Sequence, residues 1–344
     1  MVNKVGGGTA NVRLSNFELL RLLCIFGIVC MHAFGSFRGT ATGINLVYGV
    51  LINSIFNTGV SIFVLISGYF GISFSTNKYL KLELEVLLYS IVSVVSISAM
   101  QNSWNIKQIV KACMPVASGQ YWYITSYMLL LIFSEYINRV PEKLEKRDFE
   151  KLLFLMLLVF SIIPTIVQVH VMNDGGKGVA NMLLMYFIGR YIRLYKDEEQ
   201  KISRFLLLGV GMIVTGFILD FSLTMFRGGK GLYTPFARDC SCIIVLASVA
   251  IFMCFKQIRF YSKTVNKLAK HVVAVYLFEG AMRTAIGQFF DITLYEKEWY
   301  LFIVITVYAL AVMIGCMAVD MIRMPIGNCV EKTVNVFCEK NDLR

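Results

Sequence analysis

Apolar residues fall in long blocks separated by short polar stretches, and the blocks recur along the whole chain. A helix needs about 20 residues to cross the hydrocarbon of a bilayer. Ten windows carry that pattern: 17–36, 50–74, 80–100, 120–138, 150–169, 178–195, 203–225, 236–256, 268–290 and 299–322. The chain therefore reads as all-α, a polytopic transmembrane helical bundle of about ten spans. The third window, with Glu83 and Glu85, and the ninth, with His271, Glu279 and Arg283, are the weakest on hydropathy. The division leaves a leader over 1–16, one membrane domain over 17–322 and a tail over 323–344. The first block holds charges and lacks a convincing small-residue cleavage site, so it reads as a retained span rather than a removable signal.

Composition agrees. The chain is 57% hydrophobic and 16% charged, against about 25% charged in a soluble domain. That leaves too little polar matter to cover a soluble globule. The net charge of +11 would fit nucleic acid in a soluble protein. In a membrane protein it fits the enrichment of Lys and Arg in cytoplasmic loops. With the N-terminus inside, the inside segments hold 23 basic residues and the outside loops 7. Those seven are Arg38, Lys107, Lys111, Lys177, Arg227, Lys230 and Lys297. Both termini are thus expected on the cytoplasmic side.

Metal and disulfide chemistry find no footing. Most of the nine cysteines sit inside apolar blocks, such as Cys24, Cys30, Cys254 and Cys316, and Cys240 and Cys242 are too close together for a usual zinc or redox motif. The histidines, His32, His170 and His271, are scattered. No metal is expected.

The first window concentrates the chemistry. Glu18, Arg21 and His32 lie within one apolar stretch. Eleven residues separate Arg21 from His32, which puts them about 20° apart in azimuth and roughly 16 Å apart along a helix axis. Glu18, three residues before Arg21, shares their face. An ionisable group at mid-membrane costs about 2.5–3.5 kcal/mol on insertion scales and normally faces protein or a water-filled cavity. Glu18 and Arg21 also suit a plain interfacial ion pair, and His32 alone would suit a satisfied polar residue. The shared face favours a functional arrangement.

That spacing resembles the opening of the acyltransferase-3 family of integral membrane acyltransferases: an acid, two residues, Arg, ten residues and His. "GVSIFVLISGYF" at 59–70 is similar to the family's Phe-rich second span ending in Ser-Gly-aromatic. "QYWYITSYMLLLIFSEYIN" at 120–138 is similar to its Trp-led fourth span, and "FIGRYIRLY" at 187–195 to a later cytoplasmic-side segment. The likeness runs over most of the chain in order and is nearest to forms found in Gram-positive capsule and exopolysaccharide clusters. The chain departs from the family in two places. An Arg-x-x-Arg often follows the second span, where this chain offers Lys78 and Lys81, which lack the bidentate fork of Arg. In the ninth span related chains often read Tyr-Leu-Ile-His-Glu, whereas "VYLFEG" puts Glu279 near that His position, with no role carried over to it.

The resemblance implies transfer of an acyl group, acetyl by default, from acyl-CoA to a hydroxyl of a cell-surface polysaccharide or its lipid-linked precursor, in a bacterial cytoplasmic membrane. Acetyl-CoA would be co-substrate; the glycan and membrane lipids would be the partners, with no nucleic acid. His32 would be the general base, a task that imidazole suits near neutrality. Arg21 and Glu18 would order the donor's path. Lys78, Lys81, Arg190 and Arg193 are candidates for the nucleotide phosphates, although enrichment of cations in inside loops also accounts for them. Ser67, Tyr69, Trp122 and Tyr123 are candidates for substrate contact. The alternatives are an aromatic belt at the interface for "YWY" and small-residue helix packing for Ser67 and Gly68. Asp220, Arg238, Asp239 and Arg283 either line an acceptor vestibule or pair with one another. Charges on one intramembrane face also suit a transporter or flippase for a glycan lipid or acyl intermediate.

Overall fold

The structure, a computed structural model, describes residues 14–168, 172, 174–196 and 198–340. Among these residues it is all-helical, without strands. His170, Lys4 and Arg13 lie outside the described residues.

The first long helix is α1, Ser15–Phe34. Next come α2, Gly43–Phe56, and α3, Thr58–Phe70, which form one interrupted rod, then α4, Thr76–Met100, and the short α5, Ile106–Ala112. The fourth window divides at Phe133 into α6, Trp122–Ile132, and α7, Ser134–Lys143. The fifth comprises α8, Lys146–Leu157, a π-helical turn at Leu158–Ile162, and α9, Ile163–Val167. The turn precedes Pro164, which cannot donate a backbone hydrogen bond. The remainder is α10, Val179–Tyr195; α11, Ile202–Phe226; α12, Cys242–Gln257; α13, Lys263–Leu268; α14, Val272–Gly287; and α15, Leu301–Lys340.

Every apolar window falls on helix, but six helical segments have the length and hydropathy to cross a membrane. They are Ser15–Phe37, Gly43–Phe70, Thr76–Met100, Lys146–Val167, Ile202–Phe226 and Leu301–Pro325; Trp122–Ile132 and Cys242–Gln257 are shorter apolar helices. The second rod begins at Gly43, ahead of its window, because Asn45 and Asn53 interrupt the apolar run and yet are buried. Asn45 donates to the carbonyls of Glu296 and Glu298, both at 2.9 Å, and Asn53 to Gly49 at 2.8 Å. At the far end α15 runs through residue 323, where the sequence pattern places a tail.

Helix α1 is central and packs against α2, α3, α12, α13, α14 and α15. Its residues feed two apolar clusters. Ile25, Val29 and Phe34 join one with α14 and α15; Phe17, Leu20 and Cys24 join the other with α3, α10 and α12. Phe63 and Tyr123 border both clusters, so they mark the seam. Helices α3 and α10 come into backbone contact. A Cβ at Gly68 would meet the Tyr186 carbonyl, and one at Gly189 the Leu65 carbonyl. Small residues permit this approach.

The loops gather at two ends. At the His32 end, Arg38 and Ala41 accept backbone hydrogen bonds from Leu232 and Gly231, and Asn181 reaches the Asp239 carbonyl. At the other end, Ser15 bonds Asn266 and Ser262, Asn16 reaches Phe255, and Asn138 reaches Ile72.

Candidate functional site

The three ionisable residues of α1 divide into two separate ion pairs. Arg21 stays with Glu18, one turn away, at 3.4 Å. His32 instead turns to α14, where its Nδ1 lies 2.6 Å from Glu279 Oε1. The other carboxylate oxygen of Glu279 accepts from Arg283 Nε at 3.2 Å, and Arg283 also donates to the His32 carbonyl at 3.4 Å. Glu279 and Arg283 are one helical turn apart on α14, a spacing that brings their side chains together. The result is a His–Glu–Arg chain in which each member fixes the next.

The geometry decides which imidazole nitrogen is available. A carboxylate accepts, so the matching tautomer carries its proton on Nδ1 and leaves Nε2 as an acceptor. His32 keeps 44% of its side chain exposed, against 10% for Glu279. The carboxylate is enclosed and the imidazole is open.

His32 is open to two adjoining cavities. One, of about 130 Å³, is mainly apolar and is walled by Ile28, Phe56, Val60, Phe63, Trp122 and Tyr276, among others. The second, of about 320 Å³, is polar and includes Arg38, Asn53, Asn57, Lys177, Glu279 and Arg283. Met31, His32, Asn57 and Lys177 line both. The interruption between α2 and α3 is at Asn57, so the break in the rod coincides with the junction of the cavities. Thr58 stabilises that break by donating to the Ile55 carbonyl at 2.7 Å.

A family model described as an acyltransferase domain matches residues 14–319. The chain belongs to the acyltransferase-3 family. No curated protein and no solved structure matches it. The family match supports a multi-pass membrane acyltransferase.

Within this acyltransferase-3 chain the sequence-expected residues take up distinct places. Trp122 and Tyr123 line the apolar cavity beside His32. Tyr123 stacks on Tyr127 at 6.2 Å, and the charge of Arg21 acts on both tyrosines. Ser67 sits beside Tyr127 and donates to its own helix, at the Phe63 carbonyl, at 3.0 Å. Tyr69 lies at the opposite end from His32, packed on Phe17 and Phe252. There Arg193 donates to the Tyr69 hydroxyl at 3.3 Å and covers its ring at 5.3 Å. Arg190 approaches Gly71 at the same end, and its Nε is buried without a hydrogen-bond partner. Lys78 is exposed and donates to the Ser73 hydroxyl at 3.1 Å; Lys81 follows on the same helix, α4. These groups therefore lie toward the Tyr69 end, apart from the His32 cavities.

The residues proposed as a vestibule also divide. Arg283 and Asp239 line the cavities, whereas Asp220 is fully buried and accepts from the Phe236 backbone at 2.9 Å, with Arg238 nearby. Glu279, Asn57, Tyr276 and Lys177 join the site without having been singled out for it from sequence. For Glu279 a signal was present: an acid four residues before an Arg, in a window of poor hydropathy. No cluster of three or more metal-ligand side chains occurs among the described residues.

Proposed function

We propose that this acyltransferase moves an acyl group, acetyl in the simplest case, from acyl-CoA to a hydroxyl of a cell-surface polysaccharide or its lipid-linked precursor. One observation carries the reading: His32 is held through Nδ1 by Glu279, and its other nitrogen is open where an apolar and a polar cavity meet. A thioester arm suits the apolar cavity, and a sugar hydroxyl suits the polar one.

In the proposed step, His32 Nε2 takes the hydroxyl proton as the oxygen attacks the thioester carbonyl. The new C–O bond forms, the C–S bond breaks, and His32 returns the proton to the leaving thiolate. Glu279 steadies the imidazolium, and Arg283 holds Glu279 in place. Arg21 and Tyr123 would orient the donor on its way to His32. Arg190 fits a donor phosphate because a buried guanidinium nitrogen there lacks a partner; Arg193, Lys78 and Lys81 would add charge to the same anion. With the cation-rich end facing the cytoplasm, the donor enters there and the acceptor approaches from the other side, so both termini are cytoplasmic and the membrane is the bacterial cytoplasmic one.

The test is transfer of labelled acetyl from acetyl-CoA to a surface-glycan acceptor by the purified chain in lipid. His32→Ala is expected to lower transfer on the order of 10⁴-fold while the protein still inserts. Unchanged transfer would remove His32 from the chemistry. Lipid scrambling without any donor turnover would replace the enzymatic reading with transport.

A further inference from the structure

The polar cavity carries more positive charge than the reaction needs. Its wall holds Arg38, Lys177 and Arg283 against one carboxylate, Glu279. That carboxylate is already committed to His32 and Arg283. Arg38 donates to the Thr234 hydroxyl at 3.4 Å, a neutral partner. Lys177 is exposed and meets the charge of Asp239 on the side of the apolar cavity. Two of these cations, Arg38 and Lys177, come from separate loops, the first after α1 and the second before α10. The fold brings both to one cavity wall. Enrichment of cations at the cytoplasmic face does not explain them, because they lie at the cation-poor end.

We infer that this vestibule selects an anionic acceptor: the sugar that receives the acyl group, or its immediate neighbour, carries a carboxylate or a phosphate. The inference rests on the acyl-transfer reading of the same site. Arg38 and Lys177 bracket the anion. Asn53 and Asn57 offer amide groups to sugar hydroxyls, and the anion's attachment holds the neighbouring hydroxyl toward His32. Arg283 stays with Glu279 and does not take part in anion binding. Charge-assisted hydrogen bonds are worth about 1.5–3 kcal/mol each, so each bracket residue accounts for about a tenfold change in affinity or more.

The experiment measures binding to the full chain in lipid nanodiscs, without turnover, through the fluorescence of the cavity residue Trp122. The probes are a hexuronate tetrasaccharide, its carboxyl-reduced neutral counterpart, a phosphorylated tetrasaccharide and coenzyme A. The expected result is that at least one anionic saccharide binds about tenfold tighter than the neutral one, which also tells carboxylate from phosphate. Lys177→Gln and Arg38→Gln each remove about tenfold of that preference, and Lys177→Arg restores it; Arg38→Gln, on the wall of the polar cavity alone, leaves coenzyme A binding unchanged. Equal binding of the neutral and both anionic saccharides overturns the inference. So does weaker coenzyme A binding in Lys177→Gln with saccharide binding intact, because the cations would then serve the donor. Failure of the wild-type chain to transfer acetyl, with anion-selective binding preserved, would refute the reaction and leave the anion site standing.

Discussion

Among the described residues two His–carboxylate–Arg chains occur, and they differ mainly in access. In one, His32 Nδ1 meets Glu279 at 2.6 Å and Arg283 completes the carboxylate. In the other, His271 Nδ1 meets Asp320 Oδ2 at 2.6 Å, and Arg323 Nε reaches Asp320 Oδ1 at 2.6 Å. The second chain is extended further. Tyr89 donates to Asp320 at 2.6 Å, and Arg323 pairs with Glu85 at 2.9 Å. His271 and Asp320 are each 2% exposed, whereas His32 is 44% exposed. The same pairing thus pins α4, α15 and the start of α14 together in one place and leaves an accessible imidazole in the other. Hydrogen-bond chemistry alone does not tell the two histidines apart; exposure beside two cavities does.

Substitutions can separate the two roles. The largest effect is the one on transfer expected for His32→Ala, given above, with the folded state preserved. Next is Asp320→Asn, which removes the charge that Arg323 and His271 share. Breaking a buried ion pair costs about 3–5 kcal/mol, so the thermal unfolding midpoint in lipid should fall clearly. The fraction that remains folded should transfer acyl groups at the wild-type rate. If both values stayed at wild type, the buried chain would not be a structural pin. Smaller again is Glu279→Gln, which keeps a polar group of similar shape but loses the charge opposite the imidazolium. Transfer should fall on the order of 10²-fold, with a smaller drop in the melting midpoint than Asp320→Asn gives because His32 and Arg283 are more exposed than His271 and Arg323, and a shift confined to melting would place Glu279 with Asp320 instead. The smallest is Tyr89→Phe, which removes one hydrogen bond to a carboxylate and should lower stability by about 1.5 kcal/mol, read as a modest shift in the same melting assay.

The contrast also separates what one sequence carries from what packing adds. The apolar periodicity located helices because each window is a local property of neighbouring residues. The common face of Arg21 and His32 follows from helix geometry in the same way. The partner of His32 does not, because Glu279 is 247 positions away and the two meet only after α1 packs on α14. His271 and Asp320 likewise pair across 49 positions; in the sequence His271 counts only against the hydropathy of its window, and Asp320 is not singled out. The break at Asn57 escaped the pattern because the second window, 50–74, reads as one span across "FNTGV" on the strength of the apolar residues that flank it. Tyr69 stands with Ser67, Trp122 and Tyr123 in the sequence as a candidate for substrate contact, yet the fold sends it to the Arg193 end.

The contact between α3 and α10 bears on how this chain tolerates change over generations. At residues 68 and 189 an added methyl would strike main chain, which every amino acid possesses, so no second substitution nearby makes room for it. Gly27 is different, because its neighbour is the Phe56 side chain. A smaller residue at 56 would open space for a larger one at 27. Descendants of this sequence can therefore vary 27 and 56 as a pair, whereas 68 and 189 have no such compensating partner.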